Sequence, residues 1–115
     1  MKKAKNKTGL LTMCLKAGRL TLGMDQAKDN CRNGGAFAVF VSSDLSEKSL
    51  KEIKYYCGRY NVPLYALEMT MDGIGTALGK RSGIISVNDK GFAKSCAEGL
   101  ERIETAQTDR MEELN

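Results

Sequence analysis

Hydrophobic positions follow two periodicities along the chain, and each switch between them predicts a new element. Apolar residues that recur three or four positions apart indicate amphipathic helices, whereas short, nearly continuous apolar runs indicate strands. This pattern predicts nine elements in strict alternation, beginning and ending with a helix. The predicted helices cover about 7–17, 24–32, 47–60, 70–78 and 88–103, and the predicted strands cover about 19–22, 36–42, 63–68 and 83–87.

Residues at the predicted boundaries agree with this division. Ser46, Thr70 and Asn88 each stand at the start of a predicted helix, where a side-chain oxygen accepts a hydrogen bond from the first turn. The segment "NGG" at 33–35 follows the second helix with residues that tolerate a left-handed helix end. Pro63, the one proline, opens a strand, where its missing N–H removes no needed donor.

The fold class follows from the alternation. The run "AFAVFVS" at 36–42 is almost continuously apolar, which predicts a strand covered on both faces. Five helices alternating with four strands predict an α/β fold, a single-domain three-layer αβα sandwich with helices on both faces of a four-stranded mixed sheet. A chain of 115 residues suits one such domain, which we place at 1–104, followed by an acidic, frayed tail at 105–115.

Hydropathy and cysteine spacing predict a cytoplasmic protein. Mean hydropathy is −0.35, and no apolar run approaches the roughly 18 residues of a membrane span. The segment after the basic "MKKAKNK" is too short and too interrupted for a signal peptide. The cysteines are far apart, form no CxxC pair and occupy apolar helical positions, which predicts buried reduced thiols. They are Cys14, Cys31, Cys57 and Cys96.

Charge is distributed unevenly. Residues 1–100 contain 16 lysines and arginines against 9 acidic residues, whereas residues 101–115 contain 2 against 5. Such a distribution is the electrostatic footprint of a nucleic-acid binder, although it also serves solubility alone. The basic residues crowd the first third of the chain, at Lys2, Lys3, Lys5, Lys7, Lys16, Arg19, Lys28 and Arg32.

Enzymatic chemistry has little support in the sequence. There is no histidine to serve as a base or metal ligand, and the pair Asp25/Asp29 has an ordinary helix-surface spacing. Gly73, Gly75 and Gly79 lie within a helical pattern and in the wrong order for a phosphate loop, so they are predicted to be packing glycines. We therefore predict no catalysis, cofactor, metal or small-molecule substrate.

The start of the second helix is the stretch whose residues are best suited to bind a ligand. In "LGMDQAK", Gly23 allows close approach of a phosphate to the unpaired N–H groups of the first helical turn. Asp25 and Gln26 can contact base edges, and Lys28 can contact a flanking phosphate. An ordinary capped helix with an exposed Gln26 explains the same residues, so the spacing alone leaves both interpretations open.

The order of short segments from Lys16 to Ser95 resembles the kink-turn RNA-binding ribosomal-protein family, which comprises the large-subunit "seven-Ae" and "thirty-e" proteins and their small bacterial relatives. The resemblance is carried by "KAGRLTLG", "VSSDLSEKS", "CGRYNVP", "IGTALGK" and "NDKGFAKS", in that order and spacing over some 80 residues. The last two segments resemble the bacterial branch. The resemblance implies an αβα sandwich that binds a sharply bent RNA, whose tandem sheared G·A pairs are read at the start of the second helix.

The family pattern has a glycine, then a polar residue and Glu or Gln two and three positions later, and Lys at the sixth position. Gly23 and Gln26 match this pattern, whereas Asp25 replaces the usual amide or Lys. Asp29 occupies the family's Lys position, and Lys28 stands one residue early. Because one helical step rotates a side chain by about 100°, Lys28 is expected to point elsewhere than Asp29.

A second contact is expected in the loop "KRSG" at 80–83, where Arg81 can stack on a base. The expected partners are ribosomal or other structured RNA and the ribosome, bound mainly through the RNA backbone. A family-fold protein-interaction module that has lost RNA binding is the alternative, motivated by Asp29 and the acidic tail. The predicted RNA-binding residues are Arg19, Gly23, Asp25, Gln26, Lys28, Arg32, Lys80 and Arg81.

Overall fold

In the computed structural model, which describes residues 6–105, a mixed sheet separates two layers of helices. The helices are α1 (Thr8–Lys16), α2 (Met24–Arg32), α3 (Glu47–Arg59), α4 (Met71–Leu78) and α5 (Lys90–Ala97). The strands are β1 (Leu20–Leu22), β2 (Ala38–Val41), β3 (Leu64–Ala66), β4 (Ile84–Val87) and β5 (Arg102–Ile103). The predicted α/β sandwich is therefore confirmed. The tail from residue 106 onwards and the basic residues Lys2, Lys3 and Lys5 lie outside the described residues.

Strand order across the sheet is β1-β4-β2-β3-β5. Only β2 and β3 run parallel, with Val39 opposite Leu64, and the other neighbours are antiparallel. The two central strands, β2 and β4, are buried at every position. Their nearly continuous apolar sequences are therefore explained, because both faces of each strand are covered.

Two hydrophobic cores lie on opposite faces of the sheet. Residues of α1, α4 and α5, such as Leu11 and Ile74, pack against Phe40 of β2 on one face. On the other face, Ala27 of α2 and Ile53 of α3 pack against the β2 residues that alternate with Phe40. The helical stripes predicted from the sequence are the buried sides of these helices. Among residues 6–105, no helix has both the length and the apolarity to cross a membrane.

The C-terminal part of the fold differs from the prediction. The residue that caps α5 is Asp89 rather than Asn88, since its Oδ2 accepts a hydrogen bond from the Phe92 N–H at 2.8 Å. The helix ends at Ala97 instead of continuing to residue 103, and Gly99 then adopts a left-handed φ of 83°. Ile103 belongs to β5 and pairs with Leu64.

The prediction of a four-stranded sheet was therefore wrong, because the sheet has five strands. Apolar residues at 92, 96, 100 and 103 have helical spacing by coincidence, and a two-residue strand is too short to show a period of its own. The caps predicted for α3 and α4 are confirmed. Ser46 Oγ accepts from the Ser49 N–H at 3.1 Å, and Thr70 Oγ1 accepts from the Gly73 N–H at 3.0 Å.

Three helices begin on the same side of the sheet, where β1, β2 and β3 end and β4 begins. We call this region the helix-start edge and define it as residues 22–24, 42–47, 69–71 and 80–84. The Gly23 N–H donates to the Ile84 carbonyl at 2.9 Å, and the Ser42 N–H donates to the Gly83 carbonyl at 2.9 Å. Asp44 Oδ1 accepts from the Met71 N–H at 3.0 Å. These bonds connect the starts of α2 and α4 to the loop that precedes α3.

All four cysteines are free and buried, as the sequence predicts. Burial raises the pKa of Cys14 to about 12 and also raises the pKa of Cys96. Cys31 of α2 and Cys57 of α3 face each other, and their hydrogen bond raises the pKa of Cys57 and lowers that of Cys31. Access to Cys31 is nevertheless restricted, because its side chain is only 2% exposed.

Native thiols should therefore be inert toward a disulfide reagent such as Ellman's reagent at about pH 8, because the reactive thiolate is either scarce or inaccessible. We expect no release of chromophore over minutes in native buffer and the full complement of four thiols in concentrated guanidinium. Reaction of one native thiol at the rate of a free cysteine would contradict this packing. If one thiol does react, we expect it to be Cys31, because its pKa is lowered.

Candidate nucleic-acid interface

The junction between β1 and α2 consists of one residue, Gly23. Its φ of 114° and ψ of 155° lie in a region of backbone conformation that is essentially restricted to glycine. A Cβ added at Gly23 would meet nothing within 4 Å, so conformation rather than lack of space requires glycine here. No side chain caps α2, which leaves N–H groups of its first turn available to a ligand.

Asp25 and Gln26 follow directly in the first turn of α2, and both are exposed. Gln26 offers both a donor and an acceptor, whereas Asp25 offers acceptors only. The two groups therefore lie beside unpaired backbone donors at the helix-start edge. This arrangement can bind a phosphate through the backbone and hydrogen-bond a base edge through the side chains.

The ammonium group of Lys28 turns toward α3. It forms an ion pair with Glu52 and lies 5.1 Å from the centre of the Tyr56 ring. The hydrogen bond with Glu52 raises the pKa of Lys28, and the side chain is only 20% exposed. Lys28 is thus bound to the neighbouring helix, whereas Asp29 pairs with Arg32 of its own helix.

Arg32 and Arg19 lie apart from the start of α2. Arg32 is the last residue of α2, about 9 Å along the helix axis from Gln26, and its Nη2 lies 2.6 Å from Asp29 Oδ1. Arg19 precedes β1, about 13 Å along the chain from Gly23, and its carbonyl accepts from the Asn88 N–H. The structure does not bring these two arginines to the helix-start edge.

The described basic residues of the first third do not form one face. Lys7 is buried, and its Nζ donates to the Ser95 carbonyl at 3.2 Å. Lys16 is exposed at the end of α1, next to Arg19 at the opposite edge of the sheet. Basic residues that are close together in the sequence are therefore less close together in the fold.

The loop at 80–83 does reach the start of α2. Gly79 ends α4 in the left-handed conformation, and the following loop enters β4 at Ile84, whose carbonyl accepts from the Gly23 N–H. Gly75 is a packing glycine, because a Cβ there would lie 3.2 Å from the Arg81 Cα. The loop therefore packs against α4, and it presents the exposed Lys80 and Arg81.

Carboxylate partners are the feature that the sequence reasoning missed. Arg81 Nε lies 2.6 Å from Asp72 Oδ1, so Arg81, like Lys28 and Arg32, is paired within the chain. The spacing of Asp29 and Arg32 was visible as an i,i+3 pair, but no sequence signal connects residue 28 with residue 52 or residue 72 with residue 81. These bonds reduce the net positive potential that the interface offers to a polyanion.

The chain is similar to known proteins over most of its length. The model of the ribosomal protein L7Ae/L30e/S12e/Gadd45 family matches residues 5–97. The RNA-binding protein YlxQ of Enterococcus faecium is 34% identical over 92 residues, which cover 80% of this chain and 88% of the relative. Large ribosomal subunit protein eL30 of Candida albicans is 28% identical over 92 residues, which cover 78% and 87% of the two chains.

Two solved structures share the fold. A protein of unknown function from Bacillus halodurans matches with a TM-score of 0.74 and 29% identity, over 81% of this chain and 94% of that chain. The 15.5kD RNA binding protein of Giardia lamblia matches with a TM-score of 0.63 over 79% and 78% of the two chains. At 16% identity, the second comparison supports the fold alone.

Replacing Gly23 with alanine should destabilise the protein by about 1–3 kcal/mol, because alanine cannot adopt this backbone conformation without strain. Urea unfolding would measure the change in the free energy of unfolding. The matched control is Gly9→Ala in α1, where an added Cβ also meets nothing within 4 Å but the backbone is helical. That control should stabilise the protein by about 0.5–1 kcal/mol, and equal effects of the two substitutions would contradict the conformational explanation.

Proposed function

This chain belongs to the ribosomal protein L7Ae/L30e/S12e/Gadd45 family, and from that premise we propose that it is an RNA-binding protein of ribosomal type, with RNA and the ribosome as its partners. Relatives that match over most of the chain are named an RNA-binding protein and a protein of the large ribosomal subunit. The role is binding rather than catalysis, and we propose the cytoplasm as its location.

We further propose that the RNA is kink-turn-like and binds at the helix-start edge. The observation that supports this proposal is the glycine junction at residue 23, which leaves the first turn of α2 without a side-chain cap and is hydrogen-bonded to Ile84, the residue that follows the loop at 80–83. Phosphates would approach the backbone N–H groups, and Gln26 would contact the base edges of the G·A pairs. Lys80 and Arg81 would contact the strand on the other side of the bend.

Lys28 has a different role in this proposal from a direct phosphate contact. Its ion pair with Glu52 and its position over Tyr56 fix α2 against α3. The ammonium also neutralises a carboxylate that would otherwise repel RNA near the interface. Lys28 is therefore proposed as a positioning residue for the first turn of α2.

Gln26→Ala should lower the discrimination between a kink-turn RNA and a matched RNA whose tandem G·A pairs are replaced by Watson–Crick pairs. We expect a loss of about tenfold, because one bidentate base contact is worth about 1–3 kcal/mol. Filter binding at moderate salt would measure both dissociation constants. Affinity for the matched RNA should be unchanged, since it lacks the contact.

Ser95→Ala is a suitable control for this experiment, because the exposed Ser95 lies on α5, on the opposite face of the sheet. Discrimination by the Gln26→Ala variant equal to that of the parent would place the base contact elsewhere. Failure of the folded parent to bind any RNA at low salt would favour the alternative function, a protein-interaction module.

Asp72→Asn should strengthen binding of every RNA, because it releases Arg81 from its carboxylate partner. We expect about threefold tighter binding and a plot of log K against log salt that is steeper by about one. Asp29→Asn is the matched control, since it makes the same charge change and releases Arg32, which is farther from the helix-start edge. An equal gain from both substitutions would mean that net charge, rather than contact with Arg81, determines the affinity.

A further inference from the structure

We propose that the lysines of α3 form a second phosphate-binding surface, along which an RNA held at the helix-start edge continues. This inference rests on the proposed RNA-binding function and extends it to a helix outside the α2 site. The surface consists of Lys48, Lys51 and Lys54, which follow one another at three-residue intervals and line a shallow groove of about 540 Å³ together with Glu47 and Leu50.

Within the described part of the chain, these lysines differ from Lys28, Arg32 and Arg81 in having no carboxylate partner. Lys28, Arg32 and Arg81 form ion pairs, whereas no ion pair among residues 6–105 engages a lysine of the groove. A phosphate that contacts Arg81 must displace Asp72, whereas a phosphate in the groove displaces only solvent and counterions. The same phosphate contact should therefore contribute more to affinity on α3.

The position of the groove makes it continuous with the helix-start edge. Ser46 caps α3 at that edge, and Lys48 lies in the first turn of the helix. The row then extends about 9 Å along the helix axis to Lys54, away from the edge. Glu52, which contacts α2 through Lys28, is four residues from Lys48 and neighbours it on the helix surface, whereas Lys51 and Lys54 lie farther around α3. A phosphate on Lys51 or Lys54 therefore leaves the Lys28–Glu52 ion pair intact.

The chemistry of the groove favours a nucleic-acid backbone over a protein partner. Three ammonium groups and one carboxylate, Glu47, surround the half-buried Leu50. Protein interfaces are depleted in lysine and depend on buried aromatic or aliphatic anchors. The groove has no aromatic residue among its described lining residues, whereas regularly spaced lysines match a chain of phosphates.

The test is the salt dependence of RNA binding by the full chain. The variant Lys48→Gln/Lys51→Gln/Lys54→Gln is compared with Lys16→Gln/Lys90→Gln/Lys94→Gln, which removes equal charge from exposed lysines at the opposite edge of the sheet. Each protein is titrated with a kink-turn RNA that has long flanking helices and with one trimmed to a few base pairs. Circular dichroism verifies that each variant is folded.

For the long RNA, we expect the α3 variant to reduce the slope of log K against log salt by about two and to weaken binding about tenfold at physiological salt. The control variant should change the slope by less than about one, and the trimmed RNA should be nearly insensitive to the α3 substitutions. Equal slopes for the two triple variants on the long RNA would overturn the inference.

The outcomes separate this inference from the proposed kink-turn specificity. If the parent discriminates kink-turn RNA and the α3 variant keeps the parent's slope of log K against log salt, only the proposed role of the α3 lysines is refuted. If the parent binds RNA without discrimination and the α3 variant has a smaller slope of log K against log salt, only the proposed kink-turn specificity is refuted. A folded parent that binds no RNA at any salt refutes both.

Discussion

The path of the backbone through Gly23 determines how the rest of the interface is arranged. One glycine, with a φ of 114°, connects the outer strand β1 directly to α2. The same residue donates to the Ile84 carbonyl, which fixes the loop at 80–83 beside the first helical turn. A longer connection would separate these two segments, and a capping side chain would occupy the N–H groups that a ligand can use. The backbone conformation at Gly23 therefore determines where the side chains of the candidate site lie.

Electrostatics within the chain limit how strongly this site can attract RNA. Lys28, Arg32 and Arg81 each have a carboxylate within ion-pairing distance, so part of the positive charge apparent in the sequence is neutralised in the fold. Asp29 stands at the position where the family pattern has Lys, and it pairs with Arg32. The two exposed pairs, Arg32–Asp29 and Arg81–Asp72, contribute little to stability, and a phosphate can replace their carboxylates at modest cost. Affinity at the α2 site should consequently depend more on hydrogen bonding and shape than on net charge.

Local signals in the sequence were sufficient for most of the fold. The apolar run of β2 and the caps Ser46 and Thr70 are consequences of short-range chemistry, and the structure confirms them. The fifth strand was not predictable in this way, because Arg102 and Ile103 form a strand only through pairing with β3. For the same reason the sequence could not show that Lys28 would pair with Glu52. Positions within one element are predictable from periodicity, whereas partners between elements depend on the tertiary fold.

The two groups of cations suggest an order of events in binding. The α3 lysines, which have no carboxylate partner among residues 6–105, carry charge that acts at a distance, so they are suited to attract RNA and raise its local concentration. Arg81, which is paired with Asp72 near the helix-start edge, acts only at contact, after a phosphate has displaced that carboxylate. Attraction would then be insensitive to sequence and strongly dependent on salt, whereas discrimination would arise at Gln26 and the backbone N–H groups of α2. This division would allow a domain with a modest net charge of +4 both to capture RNA and to remain selective, since non-specific contacts would be concentrated on a different helix from the one proposed to read the bases.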